Sequence, residues 1–252
     1  MDEGVDMIKN ISFSFDQNLK IITFGSCLSR YVANQFSNMF GGKVISSVFH
    51  NRSDIFLSNF VENKTGGPSF DSLLSLFSNL NEDQKQILAN QSKEHIGKHN
   101  LSHGLQFFEA LHNQPDLILI DNYIDIVGRA VEFEKDRRIF LTIKDPNLPY
   151  KLDNLLNIDT SILNFIRIVK FIRISATNSK IVFLTFPGDA YAEENPRKSR
   201  FKAFSETFTS GDLDLIIKCF LNTKKYETNE HQHFKAPYYS GIASLIFSQL
   251  YL

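Results

Sequence analysis

Lys20-Ile21-Ile22-Thr23-Phe24-Gly25-Ser26-Cys27-Leu28-Ser29-Arg30 runs from near-continuous apolar residues through a small-residue turn into an amphipathic stretch. A short run rich in β-branched and aromatic residues reads as a strand. Its lack of apolar/polar alternation places it in a sheet buried on both faces. Beyond the turn, Val32, Phe36 and Phe40 recur at four-residue spacing, which predicts a helix over Ser29–Phe40, and Gly41-Gly42 supplies residues that tolerate a left-handed C-cap. Lys43–Phe49 is again strand-like, so residues 20–49 read as strand, helix, strand.

Working outward, Asp116–Ile120 and Lys180–Phe186 are two further apolar runs of the buried-strand kind. Over Thr160–Ser175, Ile162, Phe165, Ile166, Val169 and Ile172 fall on one helical face, with Arg167, Lys170 and Arg173 on the other. Asn81 followed by Gln84 predicts a capping box that opens a helix through Ala89, and a terminal helix is expected from Pro237. The alternation through Val131, Phe133, Ile139 and Leu141 suggests a hairpin over 127–144 that turns near Lys135-Asp136. Residues 50–115 are long for one crossover. They are expected to hold two or three helices and a Gly66-Gly67-Pro68 turn, as an insertion or lid over one sheet edge. The expected fold class is α/β, a three-layer sandwich with a mostly parallel central sheet flanked by helices and carrying a helical insertion, all in one domain over 1–252.

Composition narrows the function. The 252 residues are 42% hydrophobic and 22% charged, which suffices for one large core. With 27 Lys and Arg against 28 Asp and Glu, the net charge of -1 offers no concentrated positive surface, so neither nucleic acid nor a membrane is an expected partner. The 24 phenylalanines are scattered, as core filling would be. Two cysteines, Cys27 and Cys219, give no disulfide framework. With no secretory pattern at Met1–Asp6 and no membrane-length apolar run, a cytoplasmic location is expected. Oligomeric state is not readable from these features.

Three constellations carry chemistry. Ser26 lies between a buried strand and a helix. In an open parallel sheet ligands bind there, and the helix N-terminus favours developing negative charge. The competing reading is that Ser26 is simply an N-cap. Near the C-terminus, in Thr228-Asn229-Glu230-His231-Gln232-His233-Phe234, Glu230 lies three residues before His233 and can orient its imidazole as a base. His231 is the rival base, and a metal site using both histidines lacks a second ligand cluster. Asn122, in Asp121-Asn122-Tyr123 at the end of the third strand, can aim an amide N–H at an oxyanion, and Asn51 after the second strand is a similar candidate. Arg30 either binds an anionic group of the substrate or pairs with a core-edge carboxylate such as Asp54, and the structural role is favoured. Cys27 invites a thiol-nucleophile reading, but a cysteine just past the turn is expected to point into the fold as a buried thiol.

The strand, the Gly25-Ser26-Cys27-Leu28-Ser29-Arg30 turn, the helix after it and the late Glu230-x-x-His233 together resemble the SGNH/GDSL hydrolase superfamily, in a branch whose first block begins Gly-Ser-Cys. The resemblance implies a flavodoxin-like α/β sandwich, with Ser26 as nucleophile, His233 as base, Glu230 as orienting acid and Asn122 as oxyanion donor. This chain departs from the pattern in having Glu at 230, in lacking the third-block Gly, and in offering no assignable second-block Gly. Backbone N–H groups around Ser26 are expected to share the oxyanion with Asn122.

The resulting reading is a serine-dependent acyl-ester hydrolase or O-acyl transferase, with no cofactor and no metal, acting on a small-molecule or glycan ester. Its alternatives are a non-catalytic module that binds a glycan or acyl ligand in the same pocket, and a metal-dependent hydrolase using His231 and His233.

Overall fold

A computed structural model describes residues 18–63, 67–77, 79–134, 137–140, 151–220 and 233–252. Strand β1 (Lys20–Gly25) pairs in parallel with β2 (Lys43–Phe49) on one side and with β3 (Leu117–Asp121) on the other. Beyond β3 follow β7 (Lys180–Thr185) and β8 (Leu215–Lys218), also parallel, so the strand order is β2-β1-β3-β7-β8. All four strands read from apolar runs are present within one or two residues. The edge strand β8 is an addition to that reading. Every residue of β3 is buried, as expected of a central strand covered on both faces.

Helix α1 (Cys27–Phe40) crosses from β1 to β2 and packs against the terminal helix α9 (Ala236–Leu250). Helix α7 (Ile158–Ser175), capped by Asn157, leads into β7 and packs against α2 (Ser53–Phe56), α5 (Phe107–His112) and α8 (Pro196–Thr207). Because β1 leads outward to β2 while β3 leads the opposite way to β7, right-handed crossovers put the two helix groups on opposite faces. The chain therefore reverses its winding between β1 and β3, where an open parallel sheet forms a crevice at its carboxyl edge.

The expected capping box is present: Asn81 accepts from Gln84 N, and the Gln84 side chain accepts from Asn81 N, at the start of α4 (Glu82–Ala89). The insertion holds α2 with a further π-helical turn, α3 (Phe70–Leu74), α4 and α5, more pieces than expected. It covers the β2 edge: Ser47 N donates to Gly97 O at 2.6 Å and Leu105 N to Ile45 O at 2.8 Å, closing a row of backbone groups that would otherwise be open. Gly66 lies outside the described residues.

Between β3 and α7 the chain forms α6 (Tyr123–Val127) and a small antiparallel sheet, β5-β4-β6, from β4 (Ala130–Glu134), β5 (Arg137–Phe140) and β6 (Lys151–Leu152). The expected hairpin corresponds to β4 and β5, and its turn at Lys135-Asp136 lies outside the described residues. The phenylalanines do fill the core: Phe24, Phe36, Phe56, Phe107, Phe165, Phe183, Phe201, Phe204 and Phe208 are fully buried, and many pack edge to face. No helix among the described residues is long and apolar enough to cross a membrane.

Candidate active site

The β1–α1 turn is built on one carboxylate. Asp121, buried at the end of β3, accepts from Ser26 N at 2.8 Å and from Ser29 N at 3.0 Å on one oxygen, and from Tyr123 N at 3.0 Å on the other. A negative group at the first turn of α1 satisfies N–H groups that lack a helical partner and complements the helix dipole. Gly25, at φ 148, makes the approach possible, because a Cβ there would lie 2.5 Å from Asp121 Oδ2 and 2.9 Å from Asp121 O. The sequence pattern pointed to Asn122 and not to Asp121. The available signal was a carboxylate ending a fully apolar strand.

These contacts change the expected oxyanion donors. Ser26 N–H and Ser29 N–H are held by Asp121, and Leu28 N–H donates to Ser26 Oγ at 3.2 Å. Ser26, 4% exposed, is thus the N-cap of α1 as well as a residue of the turn. Asn122 is different. Its Oδ1 accepts from Phe186 N at 2.9 Å, which fixes the direction of the amide, and its fully buried Nδ2 has no partner among the described residues. A buried amide donor left unpaired carries a free-energy cost. An oxyanion arriving at this corner of the sheet would relieve it.

His233 comes to the same turn from a position 206 residues away, and its Nε2 lies 3.2 Å from Cys27 Sγ. Cys27 is half-buried at the first residue of α1, so it does not point into the core as expected. Residues four apart on a helix share a face, and Tyr31 accordingly lies beside the pair, its ring edge-on to His233 with centroids 6.0 Å apart. Phe234 N donates to Tyr239 Oη at 2.9 Å, tying the residue after His233 to α9. Burial raises the Tyr239 pKa and keeps that phenol neutral. Glu230 and His231 lie outside the described residues.

The end of β2 adds His50, Asn51 and Arg52. His50 takes a left-handed conformation, φ 55, and its N–H donates to Gly25 O at 3.0 Å. Burial, reinforced by His99 and His233, lowers the His50 pKa to about 3, and burial next to Arg30 lowers that of His99 to about 4, so both rings are neutral near pH 7. Asn51 Nδ2 donates to Asn90 O at 2.7 Å and its unpartnered buried atom is Oδ1. Asn51 therefore presents an acceptor, the wrong polarity for an oxyanion. The favoured pairing of Arg30 with Asp54 is also corrected, because Asp54 is held by Arg52 at 2.7 Å and 2.8 Å, and Arg52 reaches Asp153 as well. Arg30 Nη1 is buried with no partner among the described residues, and burial lowers its pKa.

The chain matches no protein-family model and no curated protein sequence. Among solved structures it is similar to a family two carbohydrate esterase from Clostridium thermocellum in complex with cellohexaose, at TM-score 0.46 and 9% identity over 92% of this chain and 64% of that one. An acetyl xylan esterase, Est2A, from the rumen bacterium Butyrivibrio proteoclasticus is similar at TM-score 0.44 and 11% identity, over 92% of this chain and 63% of that one. A carbohydrate esterase whose active site displays divergent catalytic and non-catalytic binding functions follows at 0.40 and 12%, over 93% and 64%. The chain spans just under two thirds of the length of each. The roles of the site residues therefore rest on this chain's own geometry.

No group of three or more His, Cys, Asp or Glu side chains among the described residues is arranged to hold a metal ion. A cavity of about 400 Å³ lies on the insertion, lined by Phe70, Asn90, His95 and His99 among others. Ser26, Cys27 and His233 do not line it.

Proposed function

We propose that this chain is an acyl-ester hydrolase or O-acyl transferase whose covalent chemistry runs on the Ser26–Cys27 turn. The observation that carries the reading is the buried Nδ2 of Asn122, without a partner among the described residues, at the end of β3, the strand paired with the one that leads into two nucleophile-type side chains and the histidine beside them. Acyl transfer needs these parts: a nucleophile, a base beside it, and a donor fixed in advance where negative charge develops. His233 takes the part of the base. Asn122 takes that of the oxyanion donor, and Glu230, by the superfamily resemblance, orients the base.

That resemblance gives the nucleophile's part to Ser26, whose Oγ would have to leave Leu28 N–H before attacking. It also suggests an acetyl ester of a carbohydrate or another small alcohol as substrate. Arg30, with buried and unpaired donor capacity, suits a substrate that carries an anionic group. The test is acetate release from 4-nitrophenyl acetate and from a panel of acetylated monosaccharides. Saturable release that is lost in His233→Gln and strongly reduced in Asn122→Ala supports the reading. A folded chain that binds such sugars without releasing acetate contradicts it and leaves the non-catalytic binding module.

A further inference from the structure

We propose that Cys27, with His233 as its base, is the nucleophile that takes up the acyl group, and that Ser26 serves the turn as the cap of α1. The assignment rests on the acyl-transfer reading of this site and names the atom that carries it. Three observations point to it. His233 Nε2 is at hydrogen-bonding distance from Cys27 Sγ, 3.2 Å, whereas Ser26 Oγ accepts from the Leu28 amide. Cys27 is half-buried, while Cys219 is buried. Asn122 Nδ2 is buried without a partner among the described residues at the adjacent strand end.

The charges around the sulfur are consistent with this part. Arg30, one turn along α1, is on the same side of the helix as Cys27, and no carboxylate among the described residues meets its Nη1. His50 at the end of β2 is held neutral, Tyr123 and Tyr239 face the pair as neutral phenols from α6 and α9, and the Tyr31 ring lies edge-on to His233. Among the described residues Asp121 is an opposing charge at the turn, and its carboxylate already accepts three backbone N–H groups. A thiol at a helix N-terminus beside an imidazole is the setting in which thiolates form readily. Burial instead pushes the Cys219 thiol up to about 12, which makes it an inert internal control.

The step balances without a further reactant. The Cys27 proton passes to His233 Nε2, the thiolate Sγ bonds to the acyl carbon, and the carbonyl oxygen becomes an oxyanion facing Asn122 Nδ2. Collapse breaks the acyl C–O bond, and the departing alkoxide takes the proton from His233. This leaves the alcohol and a Cys27 thioester. Water or an acceptor hydroxyl then gives its proton to His233 and attacks the thioester, releasing the thiolate with the acid or the new ester. A thiolate leaves more readily than an alkoxide, so the first half depends on proton donation by His233 and runs best with activated donors such as thioesters and aryl esters.

Two measurements test the assignment. In the first, the full chain is incubated with 4-nitrophenyl acetate, quenched in acid, mapped by mass and then treated with neutral hydroxylamine, which cleaves thioesters and spares ordinary esters. The expected result is a hydroxylamine-labile acetyl on Cys27 in the wild type and in Ser26→Ala, and none in Cys27→Ala. A hydroxylamine-stable acetyl on Ser26 that persists in Cys27→Ala overturns the inference and leaves the acyl-transfer reading standing. In the second, iodoacetamide alkylation of Cys27 is followed against pH, with Cys219 as control. The expected rate near pH 6 is at least about tenfold above that of His233→Gln, since a free thiol with pKa of about 8.5 is mostly protonated there. Equal rates overturn the dyad whatever the ester assays show.

Discussion

Gly25 and Asp121 meet across the β1–β3 seam so closely that a single added methyl group would stand 2.5 Å from the carboxylate oxygen holding Ser26 N and Ser29 N. The turn that carries the candidate nucleophiles is thus fixed by a neighbouring strand and does not depend on its own loop alone. Parallel pairing of Phe24 with Ile120 sets the two strand ends side by side, and Asp121 then reaches over Gly25 to the first turn of α1.

Gly25→Ala is expected to lower stability by about 1–3 kcal/mol from backbone strain alone, because φ 148 is unfavourable for a residue with a Cβ. Displacement of Asp121 adds to this. Urea midpoints measure the loss, and a variant as stable as the wild type contradicts the packing described.

Asn122→Ala is expected to lower kcat by about a hundredfold or more with little change in KM, the effect of removing a donor used in the transition state. Its Oδ1 bond to Phe186 N is lost as well, so the variant's urea midpoint has to be measured alongside. A KM effect with kcat intact would make Asn122 a ground-state contact instead.

Asp125 predicts a pH dependence in a defined window. It is fully buried, accepts from Ser53 N at 2.7 Å and from the hydroxyls of Ser53 and Ser161, and burial raises its pKa from 3.8 to about 6. The folded chain therefore holds this proton more tightly than the unfolded chain does. The associated stability is fully present below about pH 4 and is lost as pH rises through about 6, by roughly 2–3 kcal/mol. Asp125→Asn removes that dependence, so the stability difference between wild type and variant should shift in favour of the wild type from pH 7 to pH 4. A constant difference contradicts it.

Much of this architecture was readable from residue patterns, for physical reasons. β1, β3 and β7 are buried on both faces and so leave long apolar runs, and α1 and α7 bury one face and so leave three- and four-residue spacing. β8 escaped because it is a four-residue edge strand, Leu215-Ile216-Ile217-Lys218, only partly buried. The site was legible as a place. Ser26, Asn122 and His233 were named from strand ends and from an acid-to-histidine spacing, and all three lie at the carboxyl edge of the sheet. Which of two adjacent turn residues faces the histidine was not legible. The orientation at the first residue of a helix depends on a contact 206 positions away, and periodicity carries no information about it. Asp121 was missed for a related reason, since its role is to bind backbone N–H groups of another strand's turn.

The most direct test of acyl transfer on this turn is the early time course of 4-nitrophenolate release from 4-nitrophenyl acetate. A covalent acyl-enzyme predicts a burst approaching one product per chain, then a slower steady rate, with the burst absent in His233→Gln. A folded wild-type chain that shows neither burst nor steady release above buffer would contradict the account.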